Sequence, residues 1–154
     1  MARTIPAPLL VLAGLAPVVA APIITFALIG DQSSTTDPNP DYFWHPPSIA
    51  ASTVTTWSLI FTVLAMIGLG MLIPRWKDGT VHTAWKRVVI CLVMCGILTG
   101  AFYRVATAAV IGVNLGAALM ALFGGPAFLA LLVGAIFAAF RTRTPPPTAT
   151  PAER

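Results

Sequence analysis

Arg104 is the one charged side chain within the long apolar segments of this sequence. Charged residues at membrane depth are rare and by default mark ion pairs, substrate paths or other functional sites. On a continuous helix, Arg104 lies about 25 Å from Arg87, near the far headgroup level of a bilayer. Three roles fit this position: an interface anchor beside Tyr103 that reaches water, an ion pair with a carboxylate, or a part in ion or substrate passage.

The polar segment 31–49 carries the acidic residues that could pair with Arg104. It contains Asp31, Asp37 and Asp41 but no Lys or Arg. Because no other base lies on this side of the apolar segments, these carboxylates have no alternative cationic partner there. We therefore predict an outer ion-pair site in which Arg104 pairs with one or more of the three aspartates.

The sequence lacks the residue groupings that catalysis requires. It has no glycine-rich phosphate loop, no G-x-S-x-G motif and no acidic residue inside an apolar segment. Cys91 and Cys95 share a helix face and are expected to be packing residues. A catalytic centre needs a nucleophile with a base, or a metal with its ligands. We therefore predict a protein that is not an enzyme, with no cofactor and no metal site.

Two pairs of glycines, each spaced four residues apart, predict close helix packing. They are Gly96 with Gly100, and Gly112 with Gly116. Small residues at this spacing let two helix backbones approach each other closely. The first pair indicates a helix–helix contact, either inside the protein or at an interface with a partner.

The sequence Gly124-Gly125-Pro126 predicts a helix break. Glycine adds backbone freedom and proline lacks the amide hydrogen that a helix needs. Two interpretations remain open: a plain kink filled by neighbouring side chains, and a broken helix whose carbonyl groups face an ion.

Composition places all these residues in a membrane protein. Of 154 residues, 57% are hydrophobic and 9% charged, and the mean hydropathy is +0.86. A soluble domain is about 25% charged, so this chain has too few charges to cover a surface in water. The net charge of +4 does not indicate nucleic-acid binding, because the basic residues cluster at the ends of apolar segments.

Four apolar segments are long enough to cross a hydrocarbon core of roughly 30 Å as helices. The predicted fold class is all-α, a polytopic membrane protein with four transmembrane helices in a bundle. The predicted spans are residues 5–30, 50–73, 88–112 and 115–140, within a domain of residues 1–143 and before a disordered Pro-rich tail, 144–154. Two alternatives stay open: cleavage of the first span as a signal peptide, and a re-entrant turn instead of a hairpin over residues 105–123.

Prolines inside the first span predict that it is kinked and packed against other helices. Pro17 and Pro22 each remove one backbone hydrogen bond from the helix. At membrane depth, such prolines are tolerated when neighbouring helices satisfy the freed carbonyl groups. The first helix is therefore expected to have neighbours along its length.

The connecting segment 74–87 sets the predicted orientation. Cytoplasmic loops carry an excess of Lys and Arg, and tryptophan is enriched at the membrane interface. Both termini are therefore predicted to be cytoplasmic and the loop 31–49 extracytoplasmic, in the inner (plasma) membrane of a bacterium. The side chains expected to contact lipid headgroups are Arg75, Trp76, Lys77, Trp85, Lys86 and Arg87.

These observations favour a protein that acts by association. We expect an accessory or assembly subunit of a larger inner-membrane complex, with the lipid bilayer and other membrane subunits or further copies of itself as partners, and no nucleic acid. The alternative is a small transporter, channel or holin-like pore-former. It is favoured by the hydroxyl-rich first half of the second span and by the predicted break in the fourth.

Overall fold

The computed structural model of the protein describes residues 6–31, 42–45, 48–109 and 113–141. Within these ranges 85% of the residues are helical and there is no strand, which confirms the all-α prediction. The elements are α1 (Ala7–Ile29), α2 (Ala51–Lys77), α3 (Thr83–Ala106), α4 (Val113–Leu119), a π-helical turn (Met120–Gly124) and α5 (Gly125–Arg141).

Four helical segments are long and apolar enough to span a membrane, because α4, the π-helical turn and α5 follow one another without interruption. The first three are α1, α2 and α3, and the fourth is Leu115–Arg141. The prediction of four spans is confirmed, and the chain is a multi-pass membrane protein.

The helices of this bundle contact one another in series. Among the described residues, α1 packs against both α2 and α3, and α3 packs against the α4–α5 segment. The extended contacts therefore follow the order α2–α1–α3–α5. The bundle is an open row in which α1 and α3 lie in the middle and α2 and α5 form the two edges.

In the contact between α1 and α2, a glycine lies against a carbonyl group that a proline leaves without its helical hydrogen bond. Pro17 lacks the amide hydrogen that would bond to the carbonyl group of Ala13, four residues earlier. A Cβ atom built on Gly68 of α2 would lie 2.5 Å from that same oxygen. The glycine hydrogen in this position therefore points at the freed carbonyl group, as a weak Cα–H···O contact.

The contact between α1 and α3 has the same form. Pro22 frees the carbonyl group of Val18, and a Cβ atom built on Gly96 would lie 3.2 Å from that oxygen and 2.9 Å from Cδ of Pro22. Gly100, one turn later, lies against the backbone of Pro22 and leaves no room for a side chain. Pro17 and Pro22, the two prolines in the interior of α1, thus each face a glycine on a neighbouring helix. Gly96 and Gly100 serve a contact inside the protein.

The fourth span packs on α3 through small residues. Ala135 and Ala138 of α5 are buried, and the Cys95 thiol lies 3.7 Å from the carbonyl oxygen of Phe128. A Cβ atom built on Gly116 would make an ordinary contact with Val105, at 3.5 Å. The segment runs antiparallel to α3, as in a helical hairpin.

The connection between α2 and α3 is shorter than the predicted loop of residues 74–87. Helix α2 continues to Lys77 and α3 begins at Thr83. Gly79, with φ of +68°, lets the chain reverse in the left-handed conformation that glycine adopts readily. Nδ1 of His82 then accepts a hydrogen bond of 3.1 Å from the amide of Ala84 and so caps α3.

At the predicted helix break, Gly124, Gly125 and Pro126, the α-helix is interrupted by the π-helical turn that ends at Gly124. The chain remains helical through these residues, and Gly125 has helical backbone angles of φ −59° and ψ −56°. Pro126 leaves the carbonyl group of residue 122 without its usual donor. The π-helical turn before α5 accommodates the missing donor, because its backbone hydrogen bonds join residues five apart instead of four.

Some predictions concern residues outside the described ranges. These are Asp37 and Asp41 of the outer ion-pair site, Gly112 of the second glycine pair, and the tail of residues 144–154.

Candidate functional site

Arg104 lies at the end of α3 and is buried against α1. The residue is 8% exposed. Its Nη1 atom lies 3.5 Å from Oδ1 of Asp31, and its guanidinium carbon lies 4.2 Å from the centre of the Phe26 ring. The structure thus brings together two residues of the predicted ion-pair site and adds an aromatic face that attracts the cation.

The end of α1 places Asp31 beside Arg104. Gly30 has φ of +79°, and its amide donates to the carbonyl oxygen of Ala27. This left-handed residue ends the helix and turns the chain. The next residue, Asp31, then leaves the helix axis at the level of Arg104, with its side chain 62% exposed.

Thr107 ends α3 one turn earlier than the predicted boundary at residue 112. Its hydroxyl group donates to the carbonyl oxygens of Tyr103, at 3.0 Å, and Arg104, at 3.3 Å. The side chain is 1% exposed. Thr107 has non-helical backbone angles of φ −101° and ψ 3° and is the C-cap of α3, so Arg104 lies in the last turn of the helix.

Aromatic rings cover the ion pair. The ring of Tyr103 lies 5.6 Å from that of Phe26 and 6.3 Å from that of Trp44. The amide of Trp44 donates a 2.9 Å hydrogen bond to the carbonyl oxygen of Ala106. This bond ties residue 44 of the connection between α1 and α2 to the end of α3.

A cavity of about 250 Å³ opens beside Arg104, between the ends of α1, α2 and α3. Its polar lining includes Asp31, Thr55 and Arg104, and its apolar lining includes Phe26, Ile49 and Val54. The cavity forms because α2 diverges from α1 at this end. None of residues 51–64 is buried, whereas Ala65 and Gly68 are.

Arg104 retains unused hydrogen-bonding capacity beside this cavity. Its Nε atom is buried and has no hydrogen-bond partner among the described residues. A guanidinium group has five N–H donors, and the ion pair with Asp31, at 3.5 Å, is long for a charge-assisted hydrogen bond. The arrangement is therefore a buried, incompletely paired cation that lines a cavity.

Three residues of this site were not predicted from the sequence. Phe26 lies in a uniformly apolar segment, and Thr55 belongs to a run of hydroxyl residues without a distinguishing pattern. Thr107 follows Arg104 by three residues, and a Thr after a long apolar run is a signal for a helix end that could have placed the boundary.

The basic end of the helix row lies opposite this site. Nζ of Lys86 lies 6.0 Å from the centre of the Trp76 ring, and Nε1 of Trp76 is buried without a partner among the described residues. Trp85 lies beside Gly14 of α1. The remaining residues predicted to contact lipid headgroups are at the same end of α2 and α3: Arg75, Lys77 and Arg87.

The described residues contain no group of three or more His, Cys, Asp or Glu side chains that could hold a metal ion. Cys91 and Cys95 are free thiols. The chemistry of the site is therefore that of one buried cation beside one exposed carboxylate, with aromatic and hydroxyl neighbours.

No known protein family, curated protein or solved structure matches this chain.

Proposed function

We propose that the protein is a non-enzymatic membrane subunit that acts by association, as an accessory or assembly subunit of a larger complex in the inner membrane. The observation that carries the proposal is the open row of helices. In the most apolar stretch of each span, 28% of the residues are buried in α1 and in α3, but 17% in α2 and 6% in the fourth span. The edge helices are thus available to other membrane helices.

The free side of α5 is a continuous apolar face. Leu129, Val133 and Phe137, four residues apart along it, are 59–63% exposed, and Ala130 beside them is exposed as well. Lipid tails can cover an apolar face, so exposure alone does not require a protein partner. The small side chain of Ala130 next to these larger ones supports one, because small residues let a second helix approach closely.

Affinity purification in mild detergent tests this proposal. A C-terminally tagged copy is expected to carry another membrane protein in stoichiometric amount, identified by mass spectrometry. Ala130→Trp should prevent the close approach of a second helix and so reduce recovery of the partner. Leu12→Trp, at an exposed position of the central helix α1, should leave recovery unchanged. A strictly monomeric protein whose deletion leaves all membrane complexes intact would contradict the proposal.

The alternative function, a small transporter, channel or holin-like pore, has support from the exposed hydroxyl groups of α2. Four helices in a row enclose no lumen, so a pore of this kind requires several copies. Several of these hydroxyl groups also donate within their own helix: Thr55, Thr56 and Thr62 each donate to the carbonyl oxygen four residues earlier, at 2.7–3.0 Å. Their donor hydrogens therefore need no water molecule.

Replacing Thr56 and Thr62 with valine is therefore expected to have little effect. The hydroxyl groups are exposed and bond only locally, so the free energy of unfolding should change by less than about 0.5 kcal/mol per site. Purified protein in liposomes should leave ion and small-solute flux at the control level in both forms. Flux that the parent protein produces and the double variant loses would instead favour the pore.

The proposed orientation places the basic end of the row in the cytoplasm. Arg75, Lys77, Lys86, Arg87 and Arg141 lie at that end, in accord with the excess of positive charge in cytoplasmic loops. In a Cys91→Ala, Cys95→Ala background, Ser48→Cys should react with a membrane-impermeant maleimide in intact cells. Thr80→Cys should react only after the membrane is opened, and the reverse pattern would overturn the orientation.

A further inference from the structure

We propose that the cavity beside Arg104 binds the headgroup of a zwitterionic phospholipid, with the phosphate on the guanidinium group and the ammonium group beside Asp31. This inference does not depend on the proposed association. It rests on the buried cation, its carboxylate neighbour and the shape of the cavity.

The buried guanidinium group favours a phosphate ligand. Arg104 is 8% exposed and is one of the residues that line the cavity. Its ion pair with Asp31 is 3.5 Å long, longer than the roughly 2.7–2.9 Å of a charge-assisted hydrogen bond. A phosphodiester group would give the guanidinium group shorter bonds, because the planar fork of arginine matches two phosphate oxygens at once.

Asp31 sets the net charge that the ligand should carry. Its carboxylate lies 3.5 Å from Arg104 and is 62% exposed, so the two protein charges cancel at the cavity mouth. A ligand with only negative charge would meet the carboxylate unfavourably. A headgroup whose ammonium group follows its phosphate complements both residues.

The walls of the cavity favour a lipid over a free headgroup. Ile49, Val54 and Phe26 supply apolar surface next to the polar residues, and Ile49 is 52% exposed. The cavity lies between the ends of three spans, beside the exposed apolar side chains of α2. A lipid could therefore place its phosphate on Arg104 and leave its acyl chains along the apolar faces of both helices.

The cavity volume of about 250 Å³ lies just below the roughly 300 Å³ at which pockets for whole small molecules begin. It therefore has room for a headgroup but not for an entire lipid. The acyl chains of a bound lipid would stay in the bilayer.

Native mass spectrometry of the full chain, released from nanodiscs, tests the proposal. The nanodiscs contain equal amounts of phosphatidylethanolamine and phosphatidylglycerol, and the number and kind of retained lipids are counted. The parent protein should retain one phosphatidylethanolamine in preference to phosphatidylglycerol. Arg104→Gln should reduce that retention about ten- to hundredfold, the effect of losing hydrogen bonds to a charged group.

Two variants make the result specific. Arg87→Gln removes an exposed arginine from the other end of the same helix and should leave retention unchanged. Asp31→Asn should keep a bound lipid but reduce the preference for phosphatidylethanolamine about two- to fivefold, as expected for an exposed ion pair. Because Asp31 is exposed, this variant should fold even where Arg104→Gln does not.

Soluble competitors separate a lipid site from a phosphate site. Glycerophosphoethanolamine and inorganic phosphate, added in millimolar excess, should fail to displace the retained lipid. Displacement by either would overturn the assignment to a lipid and leave a site for free phosphate compounds. Equal lipid retention in the parent protein and Arg104→Gln, or an equal count of both lipids on the parent protein, would overturn the proposal itself.

Discussion

Replacing Gly68 with alanine is expected to destabilise the protein by about 2 kcal/mol, in the range typical of overpacked sites. The new Cβ atom would lie 2.5 Å from the carbonyl oxygen of Ala13 and 3.1 Å from Cβ of Ala16. The first of these contacts is to backbone, which cannot rotate away as a side chain can. Helices α1 and α2 must therefore separate, and the carbonyl group that Pro17 frees loses its neighbour.

Gly70 provides a matched control two residues along the same helix. Nothing lies within 4 Å of the position that its Cβ atom would take. Gly70→Ala is therefore expected to stabilise the protein by up to about 1 kcal/mol through helix propensity. The measurement is SDS-induced unfolding in mixed micelles, followed by tryptophan fluorescence. Equal effects of the two substitutions would show that α1 does not pack on α2 through Gly68.

Arg104→Glu is expected to destabilise the protein by about 3 kcal/mol, the cost of an uncompensated buried charge. The new carboxylate would lie where Arg104 is now 92% buried, close to Asp31 and over the face of Phe26. Like charges at this distance repel, and the negative face of an aromatic ring repels an anion. Arg87→Glu, exposed on the same helix, should change the stability by less than about 0.5 kcal/mol.

The double variant Asp31→Arg, Arg104→Glu separates the ion pair from the rest of the site. It restores opposite charges and should recover about 1 kcal/mol of the loss, a typical coupling between contacting residues. The contact with Phe26 would stay unfavourable, so full recovery is not expected. No recovery would show that Asp31 and Arg104 do not interact.

Much of the architecture followed from the sequence because hydrophobic length is a strong signal in a membrane protein. Four spans and their helical nature were predictable, since the hydrocarbon core admits helices whose backbone groups are satisfied internally. The packing of α1 was partly predictable too, because Pro17 and Pro22 had to face neighbours. The order of the helices in the row was not, since it depends on which glycine faces which proline.

Local backbone details were less predictable. The segment around Gly124, Gly125 and Pro126 has the composition of a break, yet a π-helical turn lets the helix continue. A helix can accommodate the missing amide by a break or by a π-helical turn, and the composition of the segment is the same in both cases.

Part of the candidate site could be predicted from the sequence. Arg104 stood out as the one charge in a span, and the absence of other bases pointed to the aspartates. The contact of Arg104 with Phe26 and the cavity could not be predicted, because the first depends on how α1 packs on α3 and the second on how α2 diverges from α1. The packing geometry depends on several helices together and cannot be predicted from the composition of any one of them.

Photo-crosslinking from the edges of the helix row tests most directly the claim that the protein acts by association. A benzophenone amino acid replaces Phe137 on α5 or Leu59 on α2, which are 59% and 62% exposed, and Leu12 on α1, 60% exposed, as the control. Irradiated cells should give adducts with one defined membrane protein, or with a second copy of this chain, from an edge position and not from Leu12. Adducts with lipid alone at both edges would contradict the claim.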